Sequence, residues 1–118
     1  MKMERIDRVR AALCAQGLTQ MIVCDPKSVW YLTGVAVEPY ERLLALYLPT
    51  NGEPVLFLNK LFNVPNPPCK TVWHTDADSP VSQIAAVVDA AKPLGIDKEW
   101  PAKFLICLLY TSDAADEL

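Results

Sequence analysis

Residues 41–59, ERLLALYLPTNGEPVLFLN, decide how the rest of the chain is read. Two apolar runs rich in Leu, Val, Tyr and Phe flank PTNGEP, and Asn51-Gly52 supplies the positive backbone angles that a tight hairpin turn requires. The stretch predicts two antiparallel strands. Upstream, QMIVC is a short, nearly continuous apolar run, as expected of a buried strand, and DPKSVWYLTG follows it with Asp25 as cap, Pro26 at the first helical position and Gly34 as stop. A strand and a short helix therefore precede the hairpin. Further back, Ile6, Val9, Ala12 and Leu13 share one helical face, and Gly17-Leu18 is a good helix end, which predicts an amphipathic helix over 3–16.

Downstream of the hairpin, KLFNVPNPPC is crowded with prolines and reads as a loop, and KTVWHT reads as a strand. DADSPVSQIAAVVDAAK has a Ser79 cap, Pro80 at the first helical position and Val81, Ile84, Ala85 and Val88 on one face, predicting a second long helix that Pro93 ends. LGID predicts another short strand, and EWPAKFL a third helix with Pro101 in its first turn. Helices and strands alternating around one hairpin predict the α/β class, a mixed β-sheet with flanking helices.

A chain of 118 residues with 52% apolar and 21% charged residues suits one globular domain, and no apolar run is long enough for a membrane span. The opening MKMERIDRVR is too charged for a signal peptide, so a cytoplasmic address is expected. The net charge of −3 arises from Asp113, Asp116 and Glu117, because residues 1–106 hold 11 basic and 11 acidic side chains. No basic stripe suggests nucleic acid, and neither nucleic acid nor membrane is an expected partner. Cys14, Cys24, Cys69 and Cys107 form no C-x-x-C pair and no zinc spacing with the single histidine, His74, so reduced structural thiols are expected.

The motifs of nucleophilic, phosphate-binding and zinc-hydrolytic enzymes are absent, and no catalytic and no metal-ligating residue is assigned. His74, alternating with Trp73 in a predicted strand, reads as an edge or surface histidine, and Asp76 and Asp78 read as a helix lead-in whose charges suit the helix dipole. Arg42 stands out, because it opens RLLALYL after the loop VAVEPYE, where a guanidinium can hold a carboxylate in a fork. The plainer alternative is a surface ion pair with Glu38 or Glu41. Trp30, Tyr31 and Tyr40 are expected either as an aromatic lip beside Arg42 or, for the first two, as core.

The succession RIDRVRAALCAQGLTQMIVCDPKSVWYLTG, ERLLALYLPTNGEPVLFL and LGIDKEWPAKFL resembles the N-terminal domain of the creatinase, prolidase and aminopeptidase P family, most of all its bacterial Xaa-Pro peptidase branch. The resemblance implies a ribonuclease H-like α/β domain that precedes a larger pita-bread catalytic domain holding two divalent metal ions, which activate a water against the bond before proline. It implies a homodimer or homotetramer, in which this domain narrows the entrance for short proline-containing peptides. Arg42, Tyr40 and Tyr31 are then the substrate-entrance candidates.

Under this resemblance the domain is expected to be incomplete at its C-terminal end, occupying residues 1–106, with no cofactor of its own and with the catalytic domain as its missing partner. The first eleven residues of CLLYTSDAADEL resemble a one-frame translation of the transposase adapter of sequencing libraries, so residues 107–118 are expected to be foreign to the fold. The competing expectations are a stand-alone α/β binding or oligomerisation module and the N-terminal domain of a creatinase-like amidinohydrolase. A doubly wound redox or nucleotide-binding protein is disfavoured by the lack of a glycine-rich phosphate loop.

Overall fold

The computed structural model describes residues 1–111. In chain order the elements are α1 (Met3–Ala15), β1 (Gln20–Val23), α2 (Pro26–Thr33), β2 (Ala45–Pro49), β3 (Val55–Asn59), β4 (Lys70–His74), α3 (Pro80–Val87), β5 (Gly95–Ile96) and α4 (Ala102–Thr111). The strands form one mixed sheet in the order β4-β3-β2-β1-β5. β2 is antiparallel to both β1 and β3, whereas β3 pairs parallel with β4 and β1 parallel with β5.

The central strands β1, β2 and β3 are buried on both faces, which is why they read as continuous apolar runs rather than alternating ones. Leu46 and Leu48 of β2 and Leu56 and Leu58 of β3 pack with Ile6 of α1 and Val29 and Leu32 of α2. The residues between them, Ala45, Tyr47, Val55 and Phe57, pack with Val81 and Ile84 of α3 and Leu108 of α4. One apolar layer therefore lies on each side of the sheet, as the two-residue side-chain period of a strand requires.

The helix ends follow the local chemistry. Asp25 caps α2 by accepting from the Ser28 backbone N–H at 3.3 Å and its hydroxyl at 2.7 Å. Gly34 closes α2 with φ +83°, its N–H donating to Trp30 O at 2.7 Å. α1 ends with Gly17 N–H donating to Cys14 O and Leu18 N–H to Leu13 O, the paired bonds of a Schellman motif. Across the sheet, the Asp97 carboxylate beyond β5 accepts from the backbone N–H groups of Cys24 and Asp25 at 3.0 and 2.7 Å, tying the end of β1 to the start of α2.

Two expectations change. Of the Asn51-Gly52 pair only Gly52 takes a positive φ, +124°, because five residues join β2 to β3 and no two-residue turn is needed. Arg10 of α1 secures that loop instead, donating to Pro49 O at 3.1 Å and Gly52 O at 2.6 Å. α3 is a two-turn helix rather than a long one, ending at Val87 with Val88 extended at ψ 135°. Its stop is the buried Gln20, whose amide accepts from Asp89 N–H at 2.9 Å and donates to Asp89 O at 2.8 Å. That side chain matches the Asp89 peptide as a strand would, and the helix cannot continue through it.

The last helix, α4, runs to Thr111 and buries Leu108 beside Val81 and Ile84. Residues 112–118, most of the acidic tail, lie outside the described residues. Among the described residues no helix is long and apolar enough to cross a membrane.

Candidate functional site

β3 and β4 run parallel with Asn59 and His74 in register, and each is the last residue of its strand. β2 runs the other way against β3, with Ala45 opposite Phe57, so the residues just before β2 arrive at that same end of the sheet. The carboxyl ends of parallel strands are where open α/β sheets most often form ligand crevices. Here they border a cleft of about 380 Å³ lined by Glu41, Arg42, Asn59, His74, Asp76 and Asp78, with Pro80 and Phe104 on its α3 and α4 sides.

Arg42 is aimed by a tight turn, its N–H donating to Pro39 O at 2.9 Å. Within that turn Tyr40 takes φ +52°, a left-handed conformation that costs a non-glycine residue energy and tends to persist at functional loops. The guanidinium donates from Nε to Asp76 Oδ1 and from Nη2 to Asp76 Oδ2, both at 3.1 Å, a bidentate fork. Asn59 Nδ2 adds a third bond to Asp76 Oδ1 at 2.9 Å. Glu41 stands farther off, 3.8 Å from Arg42 Nη1. The hydrogen bonds from Arg42 and then Asn59 hold the Asp76 carboxyl below the usual carboxylate range, and the same pairing holds the guanidinium proton more tightly.

The fork of Arg42 is thus filled by Asp76 of the same chain, while Glu41 makes only the longer contact. Asp76 is not the helix lead-in that its place before Ser79-Pro80 suggested. Asp78 closes the approach to α3 by accepting from Thr75 N–H at 2.8 Å and its hydroxyl at 3.1 Å, and Ser79 caps the helix itself.

His74 is buried, only 2% exposed, and is no edge or surface histidine. Neither ring nitrogen has a hydrogen-bond partner among the described residues. Burial pushes its pKa below the ordinary histidine value, against the opposing pull of Asp78 and Asp76, so the ring is neutral at pH 7. Alternation placed His74 opposite Trp73 correctly, but α3 and α4 cover the face that a lone strand would leave wet.

The aromatic candidates do not gather around Arg42. Tyr40 sits at the tip of its turn, 80% exposed, and does not line the cleft. Tyr31 and Trp30 lie on α2 and line a separate, more apolar groove of about 680 Å³ with Val9, Met21, Lys27 and Asp97. There the Arg5 guanidinium lies 4.1 Å over the Tyr31 ring and donates to Tyr31 O at 2.8 Å. Arg42 and Tyr40 thus share a turn, and Tyr31 belongs to another surface.

Of the cleft residues, the sequence did not single out Asn59, and it gave His74 and Asp76 plainer roles than the structure does. A polar residue closing each of two apolar strands, Asn59 after VLFL and His74 after KTVW, was the available signal. Among the described residues no group of three or more His, Cys, Asp or Glu side chains is arranged to hold a metal ion, so the donor set does not fit a metal centre. Cys24 and Cys69 have thiols whose pKa is pushed up by burial, as suits inert structural cysteines.

The sequence model of the creatinase/prolidase N-terminal domain matches residues 5–110. An uncharacterized peptidase of Staphylococcus aureus is 29% identical over 104 residues, which cover 88% of this chain and 27% of that protein. One from Staphylococcus epidermidis is 37% identical over 59 residues, 50% of this chain and 17% of its own length. The chain therefore spans well under a third of the curated relatives it matches. Among solved structures, the creatinase/prolidase N-terminal domain of an X-Pro dipeptidase from Streptococcus pyogenes superposes with a TM-score of 0.77 at 24% identity, covering 92% of this chain and 88% of that one. A dipeptidase from Mycobacterium ulcerans gives 0.79 at 24% identity, covering 93% of this chain and 32% of that one. These likenesses show a shared fold.

Proposed function

The chain belongs to the creatinase/prolidase N-terminal domain family, and from that premise we propose that it is the non-catalytic N-terminal part of a cytoplasmic Xaa-Pro peptidase. The observation that carries this reading is one of coverage. The chain accounts for nearly all of a domain cut from an X-Pro dipeptidase, and for about a third of a whole dipeptidase. On this reading hydrolysis belongs to a following catalytic domain, and so do the two divalent metal ions that would activate the attacking water. The described residues supply no set of ligands for them.

The domain's own work is to assemble subunits into a homodimer or homotetramer and to shape the active-site entrance for short proline-containing peptides. Arg42 is the residue nearest the substrate, with Tyr40 beside it. Three features support this: Arg42 is aimed by a strained turn, it borders a cleft at the carboxyl ends of a parallel strand pair, and its guanidinium suits a peptide carboxylate. Tyr31 stands on the other groove and is the weaker candidate of the three. In the full-length enzyme, Arg42→Ala should raise KM for a dipeptide with little change in kcat, the mark of lost ground-state binding. An unchanged KM would refute the entrance role.

A further inference from the structure

We infer that Asp76 is an internal stand-in for a ligand carboxylate, occupying the fork of Arg42 so that a peptide carboxylate reaches the guanidinium only by displacing it. The inference rests on the reading of Arg42 as substrate-facing and adds to it a residue that sets how strongly, and for what, Arg42 competes.

The geometry is that of a bound carboxylate. Both Asp76 oxygens are taken, one by Nε and one by Nη2 at equal 3.1 Å distances, the side-on arrangement that a free carboxylate adopts on arginine. The mount is firm on one side, because Asn59 is only 2% exposed, donates to Asp76 at 2.9 Å and accepts from Leu61 N–H at 2.9 Å. The other side is open. The Arg42 and Asp76 side chains are 32% and 60% exposed, and the cleft lies against them, so an incoming carboxylate has room to exchange with Asp76.

Local structure does not require Asp76. The turn after β4 is closed by Asp78 on Thr75, and α3 is capped by Ser79, so the carboxylate of Asp76 serves only Arg42 and Asn59 among the described residues. A group spared from the backbone and placed on the one arginine of the cleft acts on ligand affinity. With the fork filled, a monocarboxylate binds weakly, and a ligand anchored elsewhere as well displaces Asp76 more readily.

The test is an NMR titration of the full 118-residue chain with N-acetylglycine, following the Arg42 Nε–H resonance, with N-acetylglycinamide as the probe lacking a carboxylate. Asp76→Ala should bind N-acetylglycine roughly tenfold more tightly than the unaltered chain, on the scale of one freed charge-assisted pair. Asp76→Asn, which keeps the shape and a partner for Asn59, should move in the same direction. Asp78→Asn removes the same charge two residues away without emptying the fork, and should change affinity by less than about twofold at moderate salt. The double variant Arg42→Ala/Asp76→Ala should show no saturable shift of the neighbouring backbone amides.

Equal affinity in the Asp76 variants and the unaltered chain would overturn the inference. So would an Asp78→Asn effect as large as that of Asp76→Ala, which would mean charge repulsion, or a saturable response to the amide. The outcome is separable from the entrance role. Tighter binding in Asp76→Ala together with an unchanged dipeptide KM in Arg42→Ala would leave the masking of Arg42 standing and remove only its place at the active-site entrance.

Discussion

Gln20 offers the sharpest test of how this sheet is held. It is 1% exposed, accepts from the Tyr47 hydroxyl and from Asp89 N–H, both at 2.9 Å, and donates to Asp89 O at 2.8 Å and Lys92 O at 3.2 Å. Gln20→Met keeps the length and removes every polar atom. The Tyr47 hydroxyl, on a buried residue, is orphaned, whereas Asp89 and Lys92 are exposed residues whose backbone groups water can reach. At about 1–3 kcal/mol for a buried group left unpaired, the loss should be about 1–3 kcal/mol.

That is a substantial share of a domain stability of about 5–15 kcal/mol, and at about 4 °C per kcal/mol it lowers Tm by about 8 °C. Urea unfolding followed by circular dichroism measures it, and hydrogen exchange at Asp89 should quicken more than exchange in β2. Tyr47→Phe should cost about 1 kcal/mol in the unaltered chain and nearly nothing in Gln20→Met, since the hydroxyl is already unpaired there. A loss below about 0.5 kcal/mol, or a Tyr47→Phe cost equal in the two backgrounds, would refute the clamp as the reason α3 stops at Val87.

Two further outcomes follow from single residues. Because burial lowers the His74 pKa in the folded chain below its ordinary 6.5, the unfolded chain binds more protons in the window below 6.5, and stability should fall as pH drops through that window. His74→Phe should flatten this slope in urea melts between pH 6.5 and 5, and an unchanged slope would show that His74 is not its source. Gly34→Ala puts a Cβ where the nearest atom is Lys2 Cε at 3.8 Å, so there is room, and only the φ of +83° resists it. The cost should be about 1–2 kcal/mol by thermal melt, and a neutral result would mean that the turn relaxes.

Much of the fold was legible because its signals are local. Asp25-Pro26 opens α2 and Gly34 closes it, Ser79-Pro80 opens α3, and the two runs around PTNGEP pair as a hairpin. The ordered set of these elements also carried the family. Errors arose where a distant residue intervened. Gln20 shortens α3 from 69 residues away, and Arg10 holds the hairpin loop in place of a tight turn. The candidate site was half legible: Arg42 was singled out for its chemistry, while its partner Asp76, 34 residues on, was read as part of a helix start.

The sequence by itself determined where helices and strands begin and which runs are buried, because capping, periodicity and turn chemistry act within a few residues. Only the tertiary structure decided that β3 and β4 lie parallel with Asn59 beside His74, and that Arg42 meets Asp76 at their ends. Strand order is set by how the two apolar faces of the sheet are divided among four helices. That is a property of the whole core, and no local stretch of sequence encodes it.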